Sequence, residues 1–344
     1  MRLTTCLPLL LSLTLLVSCS SGGTDGPFSV YLDRLARTLD VPAGEPMLPT
    51  PAPRPPRTGA LRIALEGGSL DALDFLDLRG CALQVTVGKR NSSLGKLASD
   101  SQRLLLELEF LRLGPDCVQH QRDQGETALA AQLEGELVRK REQLPALIFN
   151  ATLANEEYRE FWRPVSPSDI YPGDSSSEAV LALENVTALA RRWLAGTYDA
   201  DNMEFEILLS EIAAGDGGTL WRALGHQSAW LEVADRLLQS RLERGPLCGP
   251  NRRPEAADIM PNVVRRFFVD GIQPRSARLG QRYHLLVPPV QALESLLAEA
   301  LPPDYRNWQH ARDTALERYA QAPARHVQQI QATLSSCGGI GGNP

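Results

Sequence analysis

A chain of 344 residues, 43% hydrophobic and 22% charged, is long and apolar enough for one large domain or two small lobes. Its net charge of −6 at pH 7 argues against nucleic acid or another polyanion as a partner of the whole surface, leaving only a local basic patch for such contacts. Aromatics make up only 6% and Leu and Ala dominate the apolar set, which points to an all-α fold. The cations are almost all Arg. Lys89, Lys96 and Lys140 are the only lysines, a bias that reads as the codon usage of a GC-rich genome.

In chain order, Met1 and Arg2 give a short positive start. Residues 7–17 form an apolar run of signal-peptide length, too short to span a bilayer. The run ends in Leu16-Val17-Ser18-Cys19, which resembles the bacterial lipobox. The resemblance implies a leader over 1–18, cleavage before Cys19 and acylation of the Cys19 thiol. The implied address is the cell envelope, with Ser20 implying the outer membrane, facing the periplasm. Residues 19–27 are Ser/Gly-rich and suit a flexible lipid tether.

Residues 28–39 place Phe28, Tyr31, Leu32, Leu35 and Leu39 on one helical face. Seven prolines between 42 and 57 then predict an extended strap. Helices are expected over 69–78 and 99–113, the second stopped by Pro115. Residues 79–90 read equally as strand or helix. A polar helix over 117–143 is expected to end at Pro145, followed by a polar stretch over 164–177. The clearest amphipathic helices are 178–194, 203–214 and 219–242. Segments 257–268, 290–300, 305–319 and 325–335 close the chain, with Pro274, Pro288, Pro289, Pro302, Pro303 and Pro323 as punctuation. The whole predicts a multi-helix bundle over 28–337 with an extended Pro-rich strap, divisible into lobes 28–163 and 178–337, and a disordered tail over 338–344.

Cys6 leaves with the leader and Cys19 carries lipid. Cys81, Cys117, Cys248 and Cys337 remain, an even number in an exported chain. Three pairings are open. Cys81–Cys117 with Cys248–Cys337 is favoured because it closes the shorter loops. Zinc fits poorly, since no two of these cysteines stand at Cys-x-x-Cys spacing, and neither a metal nor a cofactor is expected.

One stretch carries a family likeness. It comprises Tyr31 through Arg37, the prolines, Cys81, then Arg90-Asn91-Ser92-Ser93-Leu94-Gly95-Lys96, then Ser101-Gln102-Arg103-Leu104, Glu107-Leu108 and Cys117. It resembles the Gram-negative lipoproteins grouped as the domain-of-unknown-function family numbered three thousand and eighty. The resemblance implies an envelope lipoprotein and lends no catalytic residue. In the loop, Arg90 is expected to anchor a carboxylate, Asn91 and Ser92 to bond local backbone, and Gly95 to take a positive φ.

Catalytic signatures mostly fail. Ser93-x-x-Lys96 has the spacing of an activated serine, but the Ser-Asp-Asn and Lys-Thr-Gly elements that accompany it elsewhere are absent. The chain holds no Gly-x-Ser-x-Gly and no His-Glu-x-x-His. His120, His226, His284, His310 and His326 are scattered, none pairing with another at helical spacing; His310 stands one turn from Asp313, which could orient its ring, though a surface hydrogen bond is the expected reading. Glu204, Glu206 and Glu211 read as a solvated helix face, and the five tryptophans as packing anchors. The expectation is a non-catalytic binding or scaffolding protein of the envelope, its partners being the membrane through its lipid and an envelope protein. The alternatives are a small-ligand carrier with an inter-lobe pocket, or a cell-wall hydrolase using Ser93, Lys96 or the Glu204 to Glu211 carboxylates.

Overall fold

The computed structural model describes residues 25–47, 54–65, 78–168, 170–173 and 178–338. Cys19, the leader, all but the last residue of the helix expected over 69–78, and the tail beyond 338 lie outside the described residues. Within them the fold is all-α.

The first helix, α1 (Gly26–Leu39), buries the Phe28, Tyr31, Leu32, Leu35 and Leu39 stripe. Residues 41–47 and 54–57 of the proline stretch have no regular structure, in keeping with prolines that lack the N–H a helix needs and push the residue before them to extended backbone. The ambiguous segment resolves as α2 (Leu83–Asn91), with alternation giving way to burial of Leu83, Thr86 and Val87.

The prolines are less decisive than the sequence suggests. Helix α3 (Asp100–Asp123) starts on a Ser99–Gln102 capping box and runs through Pro115. It stops instead at Gly125, whose φ of 85° lets Glu126 N–H bond back to the Gln121 carbonyl. Helix α4 (Thr127–Ala151) runs through Pro145. The carbonyl that loses its donor there belongs to Arg141, an exposed position that water can serve. The largest departure is α10 (Gln273–Leu296), one helix continuing through Pro288 and Pro289 where a start near 290 is expected. Its two orphaned carbonyls belong to His284 and Leu285, both exposed, while Leu286, Val287, Pro289 and Val290 are buried on the other side.

The remaining helices of more than one turn are α5 (Glu156–Phe161), α6 (Glu178–Leu194), α7 (Asn202–Ala213), α8 (Gly217–Glu243), α9 (Glu255–Val263), α11 (Pro303–Ala320) and α12 (Ala322–Leu334). A π-helical turn, Val264–Val269, extends α9.

Two hydrophobic cores result. One takes α2 to α7, the first turns of α8, then α10 and α11. The other takes α1, the second half of α8, α9 and α12. They do not follow the sequence halves 28–163 and 178–337. The N-terminal helix packs with the C-terminal one, and the 27 residues of α8 run through both cores. At 1.5 Å per residue that spine is about 40 Å long.

Two histidines hold α1 on this frame. His326 on α12 bonds the Tyr31 hydroxyl through Nε2 at 2.8 Å and Asp235 of α8 through Nδ1 at 2.6 Å. His226 on α8 meets Asp25 and the Trp230 indole N–H at the same Nε2. A neutral ring accepts from Trp230, whereas a charged ring donates to Asp25. Burial pushes the His226 pKa below its ordinary 6.5, with Arg275 adding to the shift and Asp25 opposing it. The unfolded chain therefore gains a proton before the folded one does as pH falls. The stability gained by burying the ring neutral is full above pH 6.5 and is lost below it, as the ring takes up a proton. Hydrogen exchange of the α1 amides, corrected for intrinsic rate, is expected to quicken between about pH 7.5 and 5.5, and His226→Gln to flatten that change. Equal protection at both pH values in the wild-type protein would refute the assignment.

Candidate functional site

The family-motif loop joins α2 to α3. Ser92 caps a single turn, Ser93–Lys96, its hydroxyl donating to the Lys89 carbonyl and accepting from Gly95 N–H at 3.0 Å. Gly95 does not take the positive φ expected of it. Its role is close approach: a Cβ there would overlap the Lys89 carbonyl oxygen and lie 2.5 Å from that of Arg90. Glycine thus lets the turn fold back against the end of α2. Leu94 and Leu97 stand bare at this turn, 83% and 84% exposed.

Beneath the loop lies a charged cluster. Arg90 anchors a carboxylate as expected, that of Glu107 on α3 at 3.1 Å. Glu107 is shared with Lys140 of α4, which is buried and sits 4.6 Å over the Phe110 ring. Burial drives the Lys140 pKa down, opposed by Glu107 and assisted by Arg90. Arg139 grips Glu136 with two bonds of 2.5 and 2.7 Å. Burial raises the Glu136 pKa, but that hydrogen bonding and the charges of Lys140, Arg139 and Arg90 outweigh it and hold the carboxylate below its ordinary range.

Two clefts flank the turn and share Gly95 and Leu106. One, of about 290 Å³, is lined among the described residues by four cations, Arg90, Lys96, Arg103 and Lys140, against one carboxylate, Glu107. The other, of about 490 Å³, is more apolar, with Leu94, Leu105, Leu106 and Tyr198 among its walls together with Lys89, Arg112 and Glu109. Lys89 stands 3.7 Å from Glu109. The wall at 198–202 is tied in by Ser101, whose hydroxyl donates to Glu206 at 2.6 Å.

All three lysines of the chain therefore border one loop. Of the cluster, Arg90, Arg103 and Glu107 fall within the family-motif residues; Lys140 does not. The scarcity of lysine was the signal for it, and the codon-usage reading discards that signal. Asn91 is exposed and lines the basic cleft.

The catalytic candidates do not assemble. The Ser92 hydroxyl is committed to capping, and Ser93 lines neither cleft. Glu204, Glu206 and Glu211 line neither cleft either. Asp313 pairs with Arg312 rather than with His310. The Asp235–His326–Tyr31 chain has the connectivity of a catalytic relay, but His326 and Tyr31 are 0% and 1% exposed and serve to dock α1. Trp162, Trp193, Trp221 and Trp308 are buried, as packing anchors are. No His/Cys/Asp/Glu group suited to a metal ion occurs among the described residues.

The structure pairs Cys81 with Cys117 and Cys248 with Cys337. Two disulfides suit an oxidising compartment outside the cytoplasm. No helix among the described residues is long and apolar enough to cross a membrane. No curated protein and no solved structure matches the chain. A family model does: that of the proteins of unknown function DUF3080 aligns with residues 28–339, and the chain belongs to this family.

Proposed function

We propose that this chain is a non-catalytic binding protein of the bacterial cell envelope. It is held by lipid on Cys19 to the outer membrane, facing the periplasm. Residues 90–98 and the clefts beside them form its binding face for an anionic ligand. The gathering of cations supports this reading most. In a chain of net charge −6, three lysines with Arg90, Arg103 and Arg112 converge on one turn. Lys96 and Arg103 enter no ion pair among the described residues, so their charge is available to a partner. An exposed turn built for close backbone approach and flanked by clefts suits recognition, since binding residues concentrate on loops held by a rigid scaffold. The carrier reading gains support from the larger cleft, whose walls come from 89–112 and from 198–202.

The test places a photo-crosslinking amino acid at Leu94 or Leu97 in living cells, with exposed Leu285 of α10 as the comparison site. A reproducible adduct is expected at the loop and not at Leu285. Equal background at all three positions would remove the loop as the binding face. In parallel, Cys19→Ser is expected to lose both fatty acid and sedimentation with membranes. If that variant keeps both, the anchoring half of the proposal fails.

A further inference from the structure

Leu94 and Leu97 are the most exposed leucines among the described residues. They stand on the same turn as Lys96, and Lys89 and Arg103 line the clefts on its two sides. Covering both would take a large apolar area out of water, so the loop gains from any apolar surface laid against it. The basic cleft imposes a second condition. Among the described residues its four cations share a single lining carboxylate, Glu107, and Glu136 nearby is chelated by Arg139. Whatever covers the loop must therefore offer negative charge to the cleft and apolar surface to the leucines, within one turn of chain.

A bilayer interface containing anionic phospholipid presents both at the same depth: phosphates at the headgroup level and acyl carbons just beneath. The cleft size agrees. At about 290 Å³ it sits at the lower end of small-ligand pockets, enough for a headgroup but not for a whole lipid. The leucines lie at the turn beside it, where acyl chains would remain in the membrane. An acidic peptide could satisfy the cations, but it would need its own apolar residues in register with Leu94 and Leu97.

We infer that residues 92–98 dock on an anionic phospholipid surface. A headgroup phosphate enters the cleft between Arg90, Lys96 and Arg103, and Leu94 and Leu97 dip into the interface. This rests on the binding-face reading above and names its ligand. It gives the chain a second membrane contact in addition to an acyl anchor, and basic and apolar contacts of this kind reinforce one another.

The test uses the full lipidated chain reconstituted in nanodiscs. One set is pure phosphatidylcholine and the other contains about 30% phosphatidylglycerol, so that the covalent anchor is common to both while the surface charge is not. Hydrogen exchange of amides 92–98 is expected to slow by roughly tenfold in the anionic discs, and amides of α12 to be unaffected. Lys96→Gln with Arg103→Gln is expected to abolish the slowing, as is Leu94→Ser with Leu97→Ser. All four positions lie at the surface or on the cleft wall, and the unfolding midpoint checks that each variant folds. Inorganic phosphate and glycerol 3-phosphate are added to the phosphatidylcholine discs as soluble competitors of the same chemistry. Protection by either that matches the anionic discs would overturn the lipid surface in favour of a free phosphate ligand. No protection in anionic discs would overturn the inference. A protein adduct at Leu94 or Leu97 in the crosslinking experiment would then leave the binding-face reading standing alone.

Discussion

Arg312→Met is expected to destabilise the protein by about 3–5 kcal/mol in urea unfolding, more than Glu294→Gln at the other end of the same bond. Both side chains are 0% exposed. Arg312 on α11 holds Glu294 on α10 with two bonds, 2.6 Å to Oε1 and 2.7 Å to Oε2. Glu294 also accepts from the Tyr305 and Tyr158 hydroxyls at 2.6 and 3.1 Å and from Gln309 at 2.9 Å. Burial pushes both tyrosines above their ordinary pKa, so they remain neutral donors. The Arg312 guanidinium also lies 5.1 and 4.9 Å from the rings of Trp162 and Trp308.

The asymmetry between the two variants follows from what each leaves behind. Without Arg312, the buried Glu294 carboxylate faces only neutral donors and has no counter-charge. Without the Glu294 charge, Arg312 still has Asp313, bonded to its Nε at 2.9 Å and partly open to solvent. Removing both charges together is expected to cost less than the sum of the single changes, because the uncompensated ion is what makes either one expensive. A loss below about 1 kcal/mol for Arg312→Met would show that water reaches Glu294 and that the pair is not a closed core element.

Nothing in the sequence announces this network. Glu294, Arg312, Tyr158 and Tyr305 are scattered over three helices, and a carboxylate on a helix reads by default as solvated. What the sequence does carry is the 3.6-residue period. The amphipathic segments beginning near 28, 178, 203, 219, 305 and 325 are helices with boundaries within a few residues of those expected. Prolines misled where burial competes with them. At Pro145, Pro288 and Pro289 the lost donors face exposed carbonyl positions, so continuing the helix costs little and its buried face gains much. Gly125, an unremarked residue in a polar stretch, sets the break between α3 and α4 because only its φ permits the reversal. The candidate site was half legible. Its turn, Arg90 and the neighbouring residues carry the family likeness, but the reason for Gly95 and the arrival of Lys140 from α4 require the packed structure. The two cores cut across the halves 28–163 and 178–337 for a topological reason: which termini meet is decided by long-range packing of α1 on α8, α9 and α12, to which local periodicity is blind.

Removing the Cys248–Cys337 bridge with paired alanines is expected to cost about 4–5 kcal/mol, and removing Cys81–Cys117 about 1 kcal/mol less. The bridges close 89 and 36 residues respectively, and chain entropy released in the unfolded state grows with the logarithm of that length. The native state around Cys248 has other fastenings. Cys248 N–H donates to the Ser336 hydroxyl at 3.1 Å, Arg253 donates to the Cys337 carbonyl at 3.0 Å, and Leu247 is buried in the second core. The folded structure should therefore survive the substitution with helix content unchanged, and the loss should appear through a more expanded unfolded chain. That places two signatures on one urea titration: a lower midpoint and a steeper denaturant slope. A lower midpoint with an unchanged slope would locate the effect in the folded state instead, as loosening of the 245–254 loop from the C-terminal turn. Equal losses for the two bridges would contradict the loop-length argument, and with it the view that these cross-links act on the unfolded chain more than on the native packing.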